Sequence, residues 1–258
     1  MTGKQLRMQR LFRHSHRLLI VPLDHGVSLG PVLGLEDICD TVKQVVAGGA
    51  DAILVHKGQA RHLIATGVVN YELIVHLSAS TDLAPDPNRK ELVSTAEYAV
   101  KLGATAISVH VNLGSPKEAS MLKDLGQVAE ACDAWGMPLL AMMYVRDGSK
   151  EGEYNPLKIA HAARVAEELG ADMVKVNYTG DPESFSGVVA GVRIPVVIAG
   201  GPKLNTADDI LCSIKGAVKA GARGVAIGRN LFQNEHPVCL TRQIRHILDS
   251  YEPKSHLA

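Results

Sequence analysis

Apolar residues along the 258-residue chain fall into short runs, separated by longer stretches in which they recur every three or four positions. The short runs are LLIVPL (18–23), DAILVH (51–56), ELIVHL (72–77), TAISVHV (105–111), PLLAMMY (138–144), DMVKVNY (172–178), PVVIAG (195–200) and GVAIG (224–228). Near-continuous apolar runs of this length predict strands buried on both faces, as in a parallel sheet. Between them EDICDTVKQVVAGG, ASMLKDLGQVAEACDAWG, NPLKIAHAARVAEELG and ADDILCSIKGAVKAG carry helical spacing, and each ends at or near a glycine that signals a helix C-terminus. About eight strands alternating with helices predict an α/β chain closed as a (β/α)8 barrel.

Four of the units repeat the phrase Gly-Ala-x-x after a helix: GGADAILV, LGATAISV, LGADMVKV and AGARGVAI. No linker or low-complexity stretch divides the chain, so residues 1–258 are expected to form a single TIM-barrel domain with a short basic N-terminal segment, MTGKQLRMQRLFRHSHR. A doubly wound open sheet is the alternative, but no GxGxxG follows the first strand. The basic segment is expected to be a solvated helix or to pack between subunits.

Composition narrows the partners. Lys plus Arg equals Asp plus Glu at 27 each, so no net field recruits nucleic acid or an anionic membrane, and any anion recognition is local. Aromatic residues make up 4%, too few for base-stacking platforms. The basic start lacks the apolar stretch of a signal peptide, and no run is long enough for a membrane helix, which points to a cytoplasmic protein. Cys39, Cys132, Cys212 and Cys239 are widely spaced without a CxxC pair and are expected to be reduced core thiols.

Barrel chemistry sits at the C-terminal strand ends. The first strand ends in PLDHGVSLGP, placing Asp24 at the rim, although Asp is also a common turn former and N-cap. His56, His76 and His110 close the next three strands and raise the possibility of a zinc site, against the plainer reading of hydrogen-bonded rim histidines. Tyr144 closes the fifth strand, where a phenol can move a proton to or from a substrate oxygen. In DMVKVN, alternation puts Met173, Lys175 and Asn177 on one face and Val174 and Val176 on the other. If the valines meet the helices, Lys175 points into the mouth. Losing the hydration of its charged form favours a neutral amine, which can attack a ketone and form a Schiff base. The alternative is a lysine that snorkels to water or pairs with a carboxylate. The seventh and eighth strands run into AGGPK and GVAIGRN, whose glycines free backbone N–H groups to cradle a phosphate, with Arg229 adding charge.

With these motifs in order, the chain resembles the archaeal-type class I aldolases: PLDHGVSLGP, VHKG, IVHLSAST, SVHVNLGS, WGMPLLAMMY, VKVNYTGD, VVIAGGPK and GVAIGRNLFQ carry the likeness from about residue 18 to about 248. The resemblance implies Lys175 as the Schiff-base lysine, Tyr144 as proton donor and Asp24 as the acid. It implies substrate contacts at His25, Gly26, Val27, Ser28, Val145, Arg146, Gly200, Gly201, Gly228 and Arg229. It further implies no metal and no organic cofactor, small phosphorylated keto-sugar and aldehyde substrates, and a homo-oligomer. Where the family reads MYPRG this chain reads MYVRDG, so Val145 replaces a proline and Asp147 is extra. HLSAST followed by APDPNRK is similar to the branch that joins L-aspartate 4-semialdehyde to a three-carbon unit of a keto-phosphate, giving a precursor of aromatic compounds. For that acceptor the candidates facing the mouth are Arg146 or Lys57 for the carboxylate, and Asp147 or a rim histidine's carbonyl neighbour for the ammonium. The alternatives are a class I fructose-bisphosphate aldolase, a metal-dependent barrel aldolase using the three histidines, and a non-catalytic sugar-phosphate-binding barrel.

Overall fold

The computed structural model describes residues 2–203 and 206–251. The eight runs become eight parallel strands: β1 (Leu18–Pro22), β2 (Ala52–His56), β3 (Glu72–His76), β4 (Ala106–Leu113), β5 (Leu139–Val145), β6 (Met173–Val176), β7 (Val196–Ala199) and β8 (Gly224–Ala226). They close in the order β1-β8-β7-β6-β5-β4-β3-β2. Alternate residues divide two cores. Leu18, Ile20, Leu54, Ile74, Leu140 and Met173 fill the barrel, while Leu19, Val21, Ile53, Val75, Leu139 and Val174 meet the helices. Both faces are buried, which is why the runs read as continuous rather than alternating.

The Gly-Ala repeat has a structural cause. Gly49, Gly103, Gly170 and Gly221 all take positive φ, between 76° and 109°. The next alanine reaches back to close the helix: Ala50 N donates to Val45 O at 3.0 Å, Ala104 N to Ala99 O at 3.1 Å, Ala171 N to Ala166 O at 3.0 Å and Ala222 N to Ala217 O at 3.0 Å. The glycine N–H bonds one turn back in each case, so all four are Schellman caps that aim the chain into the following strand.

The N-terminal segment is not a free solvated helix. Its helix, Gly3–Leu11, opens with a capping box between Thr2 and Gln5 and lies across the N-terminal end of the barrel. Leu11 is fully buried in the interior cluster, with Met8 and Phe12 packed beside it. The basic residues meet acids at the strand starts: Arg10 Nη2 is 2.9 Å from Glu72 Oε2, Lys4 Nζ 3.2 Å from Asp172 Oδ2 and His14 Nδ1 2.9 Å from Asp51 Oδ1. Asp51 Oδ2 also accepts from Leu19 N at 2.7 Å and Asp172 Oδ2 from Leu139 N at 2.9 Å, tying the plug to the barrel hydrogen bonds. The segment is a plug for its own barrel rather than a free helix.

Two further features were not expected. A short antiparallel pair, Ser78–Ala79 with Glu91–Leu92, folds the loop after β3 back beside the mouth. A five-residue helix, His25–Leu29, follows β1. Strand β5 runs one residue past Tyr144 because Arg146 N donates to Leu113 O at 2.7 Å and continues the ladder.

If Leu11 seals the barrel, Leu11→Ala should lower the unfolding free energy by roughly 2 to 5 kcal/mol, as for other fully buried leucines. Urea denaturation measures this, and a loss under about 0.5 kcal/mol, the scale of ordinary surface substitutions, would show that the helix does not contribute to the core.

Candidate active site

The loops at the C-terminal ends of the strands enclose a cavity of about 260 Å³ lined by Asp24, Tyr144, Lys175, Gly201, Gly228 and Arg229 among others. Lys175 stands on β6 between Val174 and Val176, which are buried against the helices, so its side chain points into the mouth with only 7% of it exposed. Its Nζ has Met142 Sδ at 4.0 Å as its hydrogen-bond partner and no carboxylate within salt-bridge reach among the described residues. Neither of the plainer readings holds for it: it does not snorkel and it is not ion-paired.

Asp24 occupies the N-cap position of helix His25–Leu29, yet its carboxylate makes no capping hydrogen bond. The side chain turns into the mouth instead, with Oδ1 3.5 Å from His25 Nδ1 and Oδ2 3.9 Å from His76 Nε2. Burial pushes the carboxyl up, but His76, His25, Lys175 and His56 together outweigh it and hold the group at about 2. The imidazoles move the other way. Burial pushes His76 down to about 3 despite the attraction of Asp24, and it lowers His25, His56 and His110 as well. At neutral pH the site therefore holds an anionic Asp24 among neutral histidines.

The three strand-end histidines are used in hydrogen bonds and stacking. His76 Nδ1 lies 2.7 Å from Ser108 Oγ and His110 Nε2 lies 2.9 Å from Asn112 Oδ1. The rings of His56 and His76 are 5.2 Å apart. Among the described residues no three of His, Cys, Asp and Glu come together as a metal site. Tyr144 is half-buried between the His110 ring at 4.9 Å and the Arg146 guanidinium at 5.2 Å, which fixes the direction of its hydroxyl.

The two glycine loops meet. Arg229 Nη2 donates to Gly201 O at 3.2 Å, and Asn230 Nδ2 donates to Gly200 O and Pro202 O, both at 3.0 Å. Gly201 sits at φ +66°, a conformation that favours glycine. A Cβ on Gly228 would stand 2.7 Å from both Pro22 O and His25 Cε1, so only glycine fits between β8 and β1. Arg229 Nε is buried without a hydrogen-bond partner among the described residues, which leaves one donor of this guanidinium unspent.

Ten of the sequence-derived site residues thus converge: Asp24, His25, Ser28, Tyr144, Arg146, Lys175, Gly200, Gly201, Gly228 and Arg229. Three do not. Gly26 and Val27 line a neighbouring groove, because the turn into helix His25–Leu29 carries them past the mouth. Val145 follows inward Tyr144 on β5 and so faces away from the cavity. Lys57 donates to Val93 O and lines that same groove. Asp147 is not at the mouth either: it pairs with Lys158 and accepts from Ser149 N at 3.1 Å, fastening the loop after β5. Conversely, sequence reasoning missed Glu153, whose Oε2 is 2.7 Å from Arg146 Nη1, and Lys90, from the loop after β3. Lys90 lies on a loop and Glu153 in the short helical turn Lys150–Tyr154, neither with a hydrophobic periodicity from which direction could be read.

The pattern of the DeoC/LacD family aldolases matches residues 18–234. The chain belongs to that family. It is 43% identical over 247 residues, 95% of this chain and 90% of the relative, to 2-amino-4,5-dihydroxy-6-oxo-7-(phosphonooxy)heptanoate synthase of Streptomyces griseus. It is 44% identical over 248 residues, 96% of this chain and 92% of the relative, to 2-amino-3,7-dideoxy-D-threo-hept-6-ulosonate synthase 1 of Archaeoglobus fulgidus. Among solved structures, an archaeal fructose 1,6-bisphosphate aldolase with its catalytic Lys bound to a carbinolamine intermediate superposes with a TM-score of 0.86 at 30% identity, covering 95% of this chain and 99% of that one. The protein is a class I aldolase of the archaeal type, working through a lysine Schiff base.

The neutral histidines give the aldolase a pH signature. An unfolded chain takes up protons on these rings as pH falls through the ordinary imidazole value of 6.5, whereas folded His76 waits until about 3. The unfolded state then binds more protons, so stability is present above pH 6.5 and declines below it. Asp24, held at about 2 against an ordinary 3.8, adds a further loss only as pH falls below 3.8. Urea unfolding between pH 8 and pH 4 should show this decline, and His76→Gln should make it shallower. An unchanged slope in the variant would mean His76 does not carry it.

Proposed function

We propose that Lys175 is the Schiff-base lysine and that the aldolase joins L-aspartate 4-semialdehyde to a three-carbon unit from a keto-phosphate donor. The observation that carries this reading is the buried, carboxylate-free amine of Lys175 facing the same cavity as the glycine loops and Arg229. The relatives' names support the substrates. A heptanoate with 2-amino, 4,5-dihydroxy, 6-oxo and 7-phosphonooxy groups divides between C4 and C5 into a four-carbon amino-acid aldehyde and a three-carbon keto-phosphate.

In this mechanism Gly200, Gly201, Gly228 and Arg229 hold the donor phosphate, which brings the ketone to Lys175. Lys175 gives up a proton to Asp24, and its free amine attacks the carbonyl carbon to give a carbinolamine. Asp24 returns that proton to the carbinolamine hydroxyl, which departs as water and leaves an iminium. The iminium accepts the electron pair released at the neighbouring carbon, and Tyr144 takes up the proton set free, from the C–H bond or, where a C–C bond breaks, from the hydroxyl of the departing fragment. The resulting enamine carbon attacks the aldehyde carbon, and the new alkoxide takes a proton from Tyr144. Water then hydrolyses the iminium and frees the amine. Arg146 and Glu153, paired across the rim, would meet the acceptor's carboxylate and ammonium in turn. This revises the ammonium partner from Asp147 to Glu153.

Borohydride with a keto-phosphate donor should trap an adduct on the peptide that carries Lys175, and Lys175→Met should abolish both trapping and turnover. Trapping at another lysine would overturn the assignment. Tyr144→Phe should lower turnover by roughly 10²-fold or more while leaving imine trapping measurable; undiminished turnover would reassign the tyrosine to packing. Activity should survive dialysis against EDTA, and its loss would return His56, His76 and His110 to a metal role. Mass spectrometry of incubations with aspartate semialdehyde and either dihydroxyacetone phosphate or a deoxyketohexose phosphate identifies the donor. No seven-carbon product, with rapid cleavage of fructose 1,6-bisphosphate, would replace this reading by the fructose-bisphosphate aldolase.

A further inference from the structure

From the geometry of the mouth we infer that Lys90 reads the anionic end of the acceptor aldehyde, making the site a two-anion cavity with the reacting amine between its poles. The inference rests on the proposed reaction only for the identity of that anion.

Strand order places the poles. In the closed barrel β4 lies diametrically across from β8, and β6, which carries Lys175, lies midway between them. Arg229 and the second glycine loop follow β8. Lys90 belongs to the loop that leaves β3, the neighbour of β4, and the short pair Ser78–Ala79 with Glu91–Leu92 fixes that loop beside the mouth. It lines the same cavity as His110 on β4.

Lys90 is a cation at the mouth that is hydrogen-bonded to neutral oxygens but ion-paired to none of the described carboxylates. Its Nζ donates to Ser80 Oγ, and to Pro87 O at 2.9 Å, both neutral acceptors. Among the described residues no carboxylate lies within salt-bridge reach of it, although Arg146, at the end of neighbouring β5, is matched by Glu153. Burial is what chiefly lowers its pKa; Asp82 pulls it back up, Arg146 pushes it down, and Asp24 and Asp86 pull it up in turn. A loop tie alone would not require a cation held close to a second cation. An anion bound between Lys90 and Arg146 would relieve both charges at once. Apart from the reacting amine, the cavity carries three cationic side chains, Lys90, Arg146 and Arg229, against the carboxylates of Asp24 and Glu153. That excess suits a substrate pair bearing a phosphate at one end and a carboxylate at the other.

The test compares aldehydes that differ in this charge, using the full-length wild type, Lys90→Met and Lys90→Arg with the keto-phosphate donor that the wild type uses. Lys90→Met should lower kcat/KM for aspartate 4-semialdehyde by roughly 30-fold, mainly through KM, as for loss of one charged hydrogen bond. Propanal, which carries no anion, should lose far less, and Lys90→Arg should recover part of the difference. Borohydride trapping of the donor, which precedes acceptor binding, serves as the control for an intact site. Equal losses for charged and uncharged aldehydes would overturn the inference and leave Lys90 as a tie of the loop. If the wild type makes no product from aspartate semialdehyde, the proposed reaction fails by itself. Lys90 is then tested with glyceraldehyde 3-phosphate against glyceraldehyde, where the same selective loss is expected and its absence refutes the role.

Discussion

A strand offers each side chain two directions, and in a closed parallel barrel both are already spoken for: one leads to the helices, the other to the axis. Val174 and Val176 are held in the helical layer, so the residue between them has to face the axis. That constraint places Lys175 in the mouth, and the active site is arranged around it. The amine gains no carboxylate partner there, Asp24 stays ionised through the surrounding fields, and the histidines are kept neutral by burial. Electrostatics of this kind depend on exclusion of water, which the loops over the mouth supply.

The same constraint explains what could be read from the sequence. Periodicity and composition locate strands because a strand buried on both faces has no polar positions to spare, and all eight runs became barrel strands. Lys175 and Tyr144 were legible because they interrupt such runs, and the glycine loops because little else tolerates their geometry, as the close approach of Pro22 O to Gly228 shows. Residues on irregular loops carry no such signal. Lys90 and Glu153 reach the cavity through a short antiparallel pair and through the helical turn Lys150–Tyr154, whose orientation depends on contacts distant in sequence. Gly26, Val27 and Val145 sit beside true mouth residues in the chain, yet adjacency in sequence does not survive a turn or a change of strand face.

The loop after β5 shows a different kind of departure. Val145 extends the ladder on the outer face, and Asp147 fastens the loop to Lys158 and Ser149. The two changes lengthen and anchor the support behind Tyr144 without placing new groups in the cavity. Arg146 is thereby held over the tyrosine ring and beside Glu153.

The plug at the other end of the barrel has a consequence for the order in which the molecule is built. Helix Gly3–Leu11 leaves the ribosome before any barrel strand, but its ionic partners are Glu72 at the start of β3 and Asp172 just before β6, and its apolar pocket is lined by strands from β1 to β8. This segment therefore has nowhere complete to dock until the last strands have emerged and the circle has closed. Seating of the plug is a late event that registers completion of the barrel.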